Sequence, residues 1–308
     1  MAFHALAKPG NNRNRCTVGE DSYAAVGRTR ITNLPDSISG LSIIKAVNES
    51  MSSITRSTSD SNTQTNSHEP IPFESVYYIG APTFLDLQGS ISGCAVIFSD
   101  PPVPAFKGGA DAVEISPRSG DCSDVIQQSC TDRLTERARL VDYTSSDASA
   151  HANSSCSPLV KALTSDPPSE CADFAGVGNG LGSFTVASLS DLTVIGKSQS
   201  SSSDCWPVSP KGGHLAVFAR EMGLDAYTND GNITGIYSPT PILSVFTASD
   251  NIKSKVTKAS AQLTCVQVAG TEHYERMNGT EEDTAAVSVV SVLTVGSAVV
   301  MTVLFMIL

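Results

Sequence analysis

Few residues in this chain are aromatic, and few are basic. Of 308 residues, 6% are aromatic, and Trp206 is the one tryptophan. Lys and Arg number 20 against 31 Asp and Glu, a net charge of −11. Nucleic acid and anionic lipid surfaces are held by basic patches, so this balance disfavours both as partners. The acidity speaks to solubility and not to fold. No two cysteines have CxxC spacing, and His4, His68, His151, His214 and His273 lie far apart, so neither zinc nor another metal site is expected. The sequence contains no Walker motif, no HExxH and no GxSxG elbow. No cofactor and no catalytic residue is expected from motifs.

Two glycine-rich or acidic features weigh little. Gly176-Val177-Gly178-Asn179-Gly180-Leu181-Gly182 fails the GxGxxG spacing, because the sixth position is Leu181 or Ser183. A flexible turn followed by a strand is the expectation there. Glycan hydrolysis needs two carboxylates about 5–10 Å apart, and Asp173, Asp191, Asp204 and Glu221 are candidates of a kind any acidic chain offers. Trp206, between Cys205 and Pro207, reads as a core or disulfide-packing residue before a sugar-stacking platform.

What is present points outside the cytosol. Cys16, Cys94, Cys122, Cys130, Cys156, Cys171, Cys205 and Cys265 make an even set spread over the chain, as in proteins of oxidising compartments. All eight are expected in disulfides, and eight cysteines allow 105 pairings. Four N-x-S/T sequons begin at Asn48, Asn153, Asn232 and Asn278. Asn48, Asn153 and Asn232 are the expected glycan sites.

The stretch from Ala285 to Leu308 holds no charged residue. At about 1.5 Å per residue, a helix of that length crosses a bilayer core of about 30 Å. No Lys or Arg follows Arg276, which argues against a spanning helix with a cytosolic end. Small residues at Asn278-Gly279-Thr280, a polar spacer and an apolar tail form the signal for a glycosylphosphatidylinositol (GPI) anchor. Asn278 or Gly279 is the expected attachment residue. The spacer, of about six residues, is shorter than the usual 8–12. A retained transmembrane helix is the competing reading. The opening residues, MAFHALAKPGNNRNRC, lack the apolar run of a secretory leader, so entry to the secretory pathway implies a start upstream of Met1.

Along the chain, residues 1–70 read as a disordered linker with a short helix at Leu41 to Val47, and the Ser/Thr-rich run 52–67 cannot form a core. The ordered body is expected over 71–270, followed by a polar spacer over 271–284 and the tail over 285–308. Strands are expected at 75–80, 94–98, 183–187, 192–196, 215–218, 242–247 and 262–268. One longer helix is expected over about 121–143, with a shorter one at Cys156 to Leu163. Cys122 and Cys130 cannot bond to each other on one helix and would staple it to two other segments. The fold class is α+β: a mainly antiparallel, disulfide-stapled sheet with one longer helix and a C-terminal hydrophobic helix.

The runs Gly93-Cys94-Ala95-Val96-Ile97-Phe98, Cys122-Ser123-Asp124-Val125-Ile126, Ser188 to Val194, Asp204-Cys205-Trp206-Pro207 and Thr240 to Phe246 resemble uncharacterised secreted or GPI-anchored surface glycoproteins of filamentous fungi. The resemblance spans about residues 75–270 and implies extracellular cysteines and a surface location. The leading expectation is a non-enzymatic cell-surface or cell-wall glycoprotein with a structural, adhesive or binding role, touching membrane through its tail and wall polysaccharide through its body. A secreted wall-glycan hydrolase and a cytosolic tail-anchored adaptor are the alternatives.

Overall fold

Two antiparallel sheets lie face to face, one capped by a small ribbon and the other by a helical layer. The computed structural model describes residues 16–18, 21–49, 71–82, 84–99, 122–143, 154–165, 167–172, 181–190, 192–195, 214–225, 238–248, 256 and 259–270. In chain order the strands are β1 (Cys16–Val18), β2 (Asp21–Tyr23), β3 (Ala25–Arg30), β4 (Ser42–Glu49), β5 (Ile71–Gly80) and β6 (Gly93–Phe98). After the helices α1 (Gln128–Leu140) and α2 (Ser157–Ser165) come β7 (Phe184–Ser188), β8 (Thr193–Val194), β9 (Leu215–Asp225), β10 (Thr240–Phe246), β11 (Ser260–Val266) and β12 (Ala269–Gly270).

The larger sheet has the order β12-β3-β4-β5-β9-β8, the smaller β11-β10-β6-β7, and β1 pairs with β2 alone. Every pairing is antiparallel. The expectation of a mainly antiparallel α+β domain therefore holds, with two α-helices among the described residues.

The smaller sheet is buried on both faces. Cys94, Val96, Phe98, Leu243, Val245, Leu263 and Cys265 point into a core completed by Cys130, Leu134 and Ala138 of α1 and Leu159 and Leu163 of α2. The helical residues recur every fourth position, so one stripe of each helix faces the sheet. Ala95, Ile97, Ile242, Phe246 and Val266 point the other way, against Ile43, Tyr77, Ile79 and Ala216 of the larger sheet. All six residues of β6 and all seven of β10 are buried. A strand covered on both sides reads as an unbroken apolar run, because neither face needs polar residues.

The outer face of the larger sheet carries Val26, Ile44, Ala46, Val76, Tyr78 and Leu215, covered by Val18 and Tyr23 of the ribbon. At one corner the chain passes from β11 of one sheet to β12 of the other, with Gln267 and Val268 between them. This crossing lies so close to β3 that a Cβ on Gly27 would sit 1.8 Å from the Gln267 carbonyl oxygen. Glycine is required there by the close backbone approach.

Three expectations need correction. The ordered body does not begin near residue 70: β1 to β4 lie within residues 16–49, and β4 is an interior strand. Leu41 to Val47 is no helix; Ser42–Glu49 is β4, whose Ile43 and Ile44 face opposite cores. Two-sided burial hides strand alternation, and β-branched residues then settle the matter. The long helix starts at Gln128, and Cys122–Asp124 forms a separate 3-10 turn before it. Among the described residues no helix is long and apolar enough to cross a membrane. The expected tail helix over 285–308 and the linker run 52–67 lie outside the described residues.

Candidate functional site

Chemistry-bearing side chains gather in three places, the first being the disulfide layer. Cys94 bonds Cys156, Cys122 bonds Cys265, and Cys130 bonds Cys171. The first bond ties β6 to the turn before α2, and the second ties the 3-10 turn before α1 to β11. The third joins α1 to the 3-10 turn at Ser169–Cys171. All six cysteines belong to one hydrophobic cluster. Cys122 and Cys130 thus fasten the helical region to two separate segments, as their spacing requires. Among the described residues no cysteine is free. Cys205 lies outside the described residues, and Cys16 is the first residue of β1.

A second cluster of polar groups sits between the sheets. Lys45 of β4 is 3% exposed, and its Nζ donates to Thr240 Oγ1 of β10 at 2.9 Å. The bond links the two sheets through a nearly buried ammonium. Beside it, Tyr77 of β5 donates to Glu221 Oε2 of β9 at 3.0 Å. Burial pushes the Tyr77 phenol well above its ordinary range, and the nearby Glu221 charge adds to the shift. Glu221 Oε1 is shielded and has no hydrogen-bond partner among the described residues.

Glu221 reaches this position through a bulge. Tyr77 is in register with Ala219 and Tyr78 with Val217, so Phe218 is the extra residue of β9. A bulge reverses the in-out alternation beyond it. Ala216 and Phe218 face inward, as simple alternation requires, but Ala219 also packs inward. Glu221 then points in toward Tyr77, and Arg220 points out.

The third cluster is on the outer face. Arg220 pairs with Asp21 and with Glu74, each at 3.1 Å. Tyr23 and Tyr78 hydroxyls share a short hydrogen bond. Burial raises the pKa of both phenols, that of Tyr78 to about 12. The Arg220 pairs are about half exposed, and such pairs contribute little to stability. Through them Arg220 of β9 bridges Asp21 of the ribbon and Glu74 of β5.

A groove of about 920 Å³ also runs between α1, α2 and the Ser169–Cys171 turn, lined by Arg133, Glu136, Arg137, Lys161 and Glu170 among others. Three of its charges are matched: Arg133 pairs with Glu136 at 3.0 Å and with Glu170 at 3.1 Å, and Arg137 donates to the Ala162 carbonyl at 3.2 Å.

The residues singled out from sequence are scattered among these clusters. Asn48 lies on β4, half-buried, with its amide oxygen shielded and without a partner among the described residues. Asn153, Asn232, Asn278 and Gly279 lie outside the described residues, as do Asp173, Asp191, Asp204 and Trp206. Of the four named carboxylates only Glu221 is described, and it faces a tyrosine. His214 precedes β9, and its carbonyl accepts from Ala81 N at 2.8 Å. Residues 176–180 of the glycine-rich run lie outside the described residues; Gly182 has a φ of +70°, and β7 follows it two residues later. Among the described residues no three His, Cys, Asp or Glu side chains converge as a metal site. Sequence reading missed Lys45, Tyr77 and Thr240. A lysine inside the run Ile43-Ile44-Lys45-Ala46-Val47 was the available signal, since a charge there must find a buried partner.

No family model matches the chain, and no match is found among curated proteins or solved structures.

Proposed function

We propose that the chain is a cell-surface or cell-wall glycoprotein, non-enzymatic, whose folded body is displayed outside the membrane. The supporting observation is the disulfide layer: six cysteines paired within one hydrophobic cluster. Such bonds form and persist where the medium is oxidising, and they are rare in the cytosol. The apolar stretch 285–308 agrees with a membrane anchor, either retained as a helix or exchanged at Asn278 or Gly279 for a GPI lipid.

Display is the mechanism. Two of the three bonds hold the helical layer on the sandwich, and the third ties α1 to the Ser169–Cys171 turn. N-linked glycans at Asn48, Asn153 and Asn232 would shield the body. Attachment at Asn48 requires its amide nitrogen to face solvent while its oxygen stays shielded. Wall polysaccharide is the partner class that such a surface meets.

An epitope inserted near residue 65, between β4 and β5, keeps both ends of the chain native. Intact cells expressing the tagged protein from its native gene are treated with a membrane-impermeant label and then with phosphatidylinositol-specific phospholipase C. Labelled, glycosylated protein released by the phospholipase is the expected result. Unlabelled protein at its unglycosylated mass in the membrane fraction would overturn the proposal.

A further inference from the structure

We propose that β7 is a docking edge for a second copy of this chain, the two β7 strands pairing antiparallel about a two-fold axis at Val186. β7 ends one side of the smaller sheet and pairs with β6 alone. Leu189 N donates to Gly93 O at 2.8 Å, and Ser99 N donates to Ser183 O at 3.1 Å, both in the register that sets Val186 opposite Val96. Hydrogen-bonded and non-hydrogen-bonded pairs alternate along an antiparallel ladder. Thr185 and Ala187 therefore bond to β6, while the N–H and C=O of Phe184, Val186 and Ser188 point away from it. Among the described residues no hydrogen bond uses those six groups.

Unpaired edges invite further strands, and proteins guard them by shortness, charge, bulges or a covering element. The larger sheet ends in β8 and β12, of two residues each. Beyond β8, β9 carries the Phe218 bulge with Arg220 and Glu221; beyond β12, β3 carries Arg28 and Arg30. At the far edge of the smaller sheet, β11 packs against α1 and β3 and runs through the corner into β12. Among the described residues β7 has none of these guards. Phe184-Thr185-Val186-Ala187-Ser188 holds no charge, no proline and no bulge, and Thr185 is exposed.

The occupant that fits is β7 itself. Centred on Val186, the pair sets Val186 against Val186 of the other copy, Phe184 against Ser188 and Thr185 against Ala187. All three outward N–H groups of each strand then meet outward C=O groups of the other, six bonds in all. A shift of one residue sets outward groups against inward ones, and a shift of two leaves a third of them unused. No like charges meet within the strand pair. Phe184 and Val186 are only half-buried at the rim of the helical-layer core, and the pairing covers them further. The two four-stranded sheets become one of eight strands. Five residues make a small interface, so the dissociation constant is expected to be weak, on the order of 100 µM.

The test is sedimentation equilibrium of the purified full chain in density-matched detergent, over a series reaching about 500 µM, several times that constant. The wild-type chain is expected to pass from monomer to dimer. The N–H groups of Phe184, Val186 and Ser188 are expected to exchange about threefold more slowly at the top of the series than at its foot, by mass action. Those of Thr185 and Ala187 stay slow throughout. Val186→Pro removes an outward N–H and no bond to β6, the placement in which an edge strand tolerates proline. Thr185→Lys puts a charge on an exposed edge site, and two such lysines lie diagonally across the pair. Both variants are expected to remain monomeric, Thr185→Lys with an unchanged denaturant midpoint. Should Val186→Pro lose its fold, Thr185→Lys decides alone. A wild-type chain that is monomeric at every concentration would overturn the proposal. So would a dimer that persists in the variants, which would place the contact on another part of the chain.

Discussion

Tyr77 and Glu221 meet across neighbouring strands, phenol to carboxylate at 3.0 Å, because Phe218 bulges out of register between them. Without that extra residue Arg220 would face the inner core and Glu221 the outside. The bulge therefore places a carboxylate where a buried phenol can donate to it, and turns Arg220 out toward Asp21 and Glu74.

Removing the donor isolates the carboxylate. Glu221 Oε1 already lacks a partner among the described residues, so Tyr77→Phe leaves both oxygens without a donor from this cluster. A stability loss of about 1.5–3 kcal/mol is expected, the range for a shielded charged acceptor. Glu221→Gln keeps an acceptor oxygen without the charge and should cost less than about 1.5 kcal/mol. Denaturant midpoints of the two variants check the order. A larger loss for Glu221→Gln would show that the carboxylate has a partner of greater weight than Tyr77.

Lys45 and Thr240 offer the corresponding test between the sheets. Thr240→Val removes an acceptor from a nearly buried ammonium and is expected to cost about 1.5–3 kcal/mol. Lys45→Met keeps the volume and removes the charge, and replacement of a buried charge by a packed apolar chain is often neutral. Thermal unfolding of both variants decides between them. If Lys45→Met proved the more damaging, the ammonium would be supplying more than its bond to Thr240.

The buried phenols tie stability to alkaline pH. Burial raises the folded pKa of Tyr23, Tyr77, Tyr78 and Tyr143 above the ordinary value of about 10. The protonated phenol is the form the fold favours. That stabilisation is complete below pH about 10 and is lost as the pH rises through the folded values, which for Tyr78 is about 12. Phenolate absorbance from these four tyrosines is expected to rise only together with unfolding, above pH about 10. A single transition near pH 10 in a still-folded chain would contradict the burial.

The disulfides differ in the loops they close. Cys122–Cys265 spans 143 residues, Cys94–Cys156 spans 62 and Cys130–Cys171 spans 41. Chain entropy assigns them about 5, 4.3 and 4 kcal/mol. Paired Cys→Ala variants should fall in that order of stability loss, measured as denaturant midpoints. A loss at Cys130–Cys171 exceeding that at Cys122–Cys265 would show that native-state packing around the bond outweighs loop closure.

Much of the sheet was legible because its strands carry local signals. The runs at 94–98, 242–247 and 262–268 are apolar, β-branched and bounded by turn residues, and they became β6, β10 and β11. The cysteines announced a stapled helix, although their partners could not be deduced because pairing depends on contacts far apart in sequence. Leu41 to Val47 misled because cores on both faces erase alternation. The inward turn of Glu221 was not legible either: a bulge is set by register against β5, and no local composition marks it. Lys45 carried the one unused signal, a charge inside an apolar run.

The central claim is that this domain matures in an oxidising compartment. Cells expressing the full chain are quenched in acid, and the denatured protein is treated with a thiol-reactive mass tag before any reduction. The account predicts no tagged cysteine, and tags on all eight once reductant is added. Tagging of all eight before reduction would place the folded chain in a reducing compartment and contradict the account.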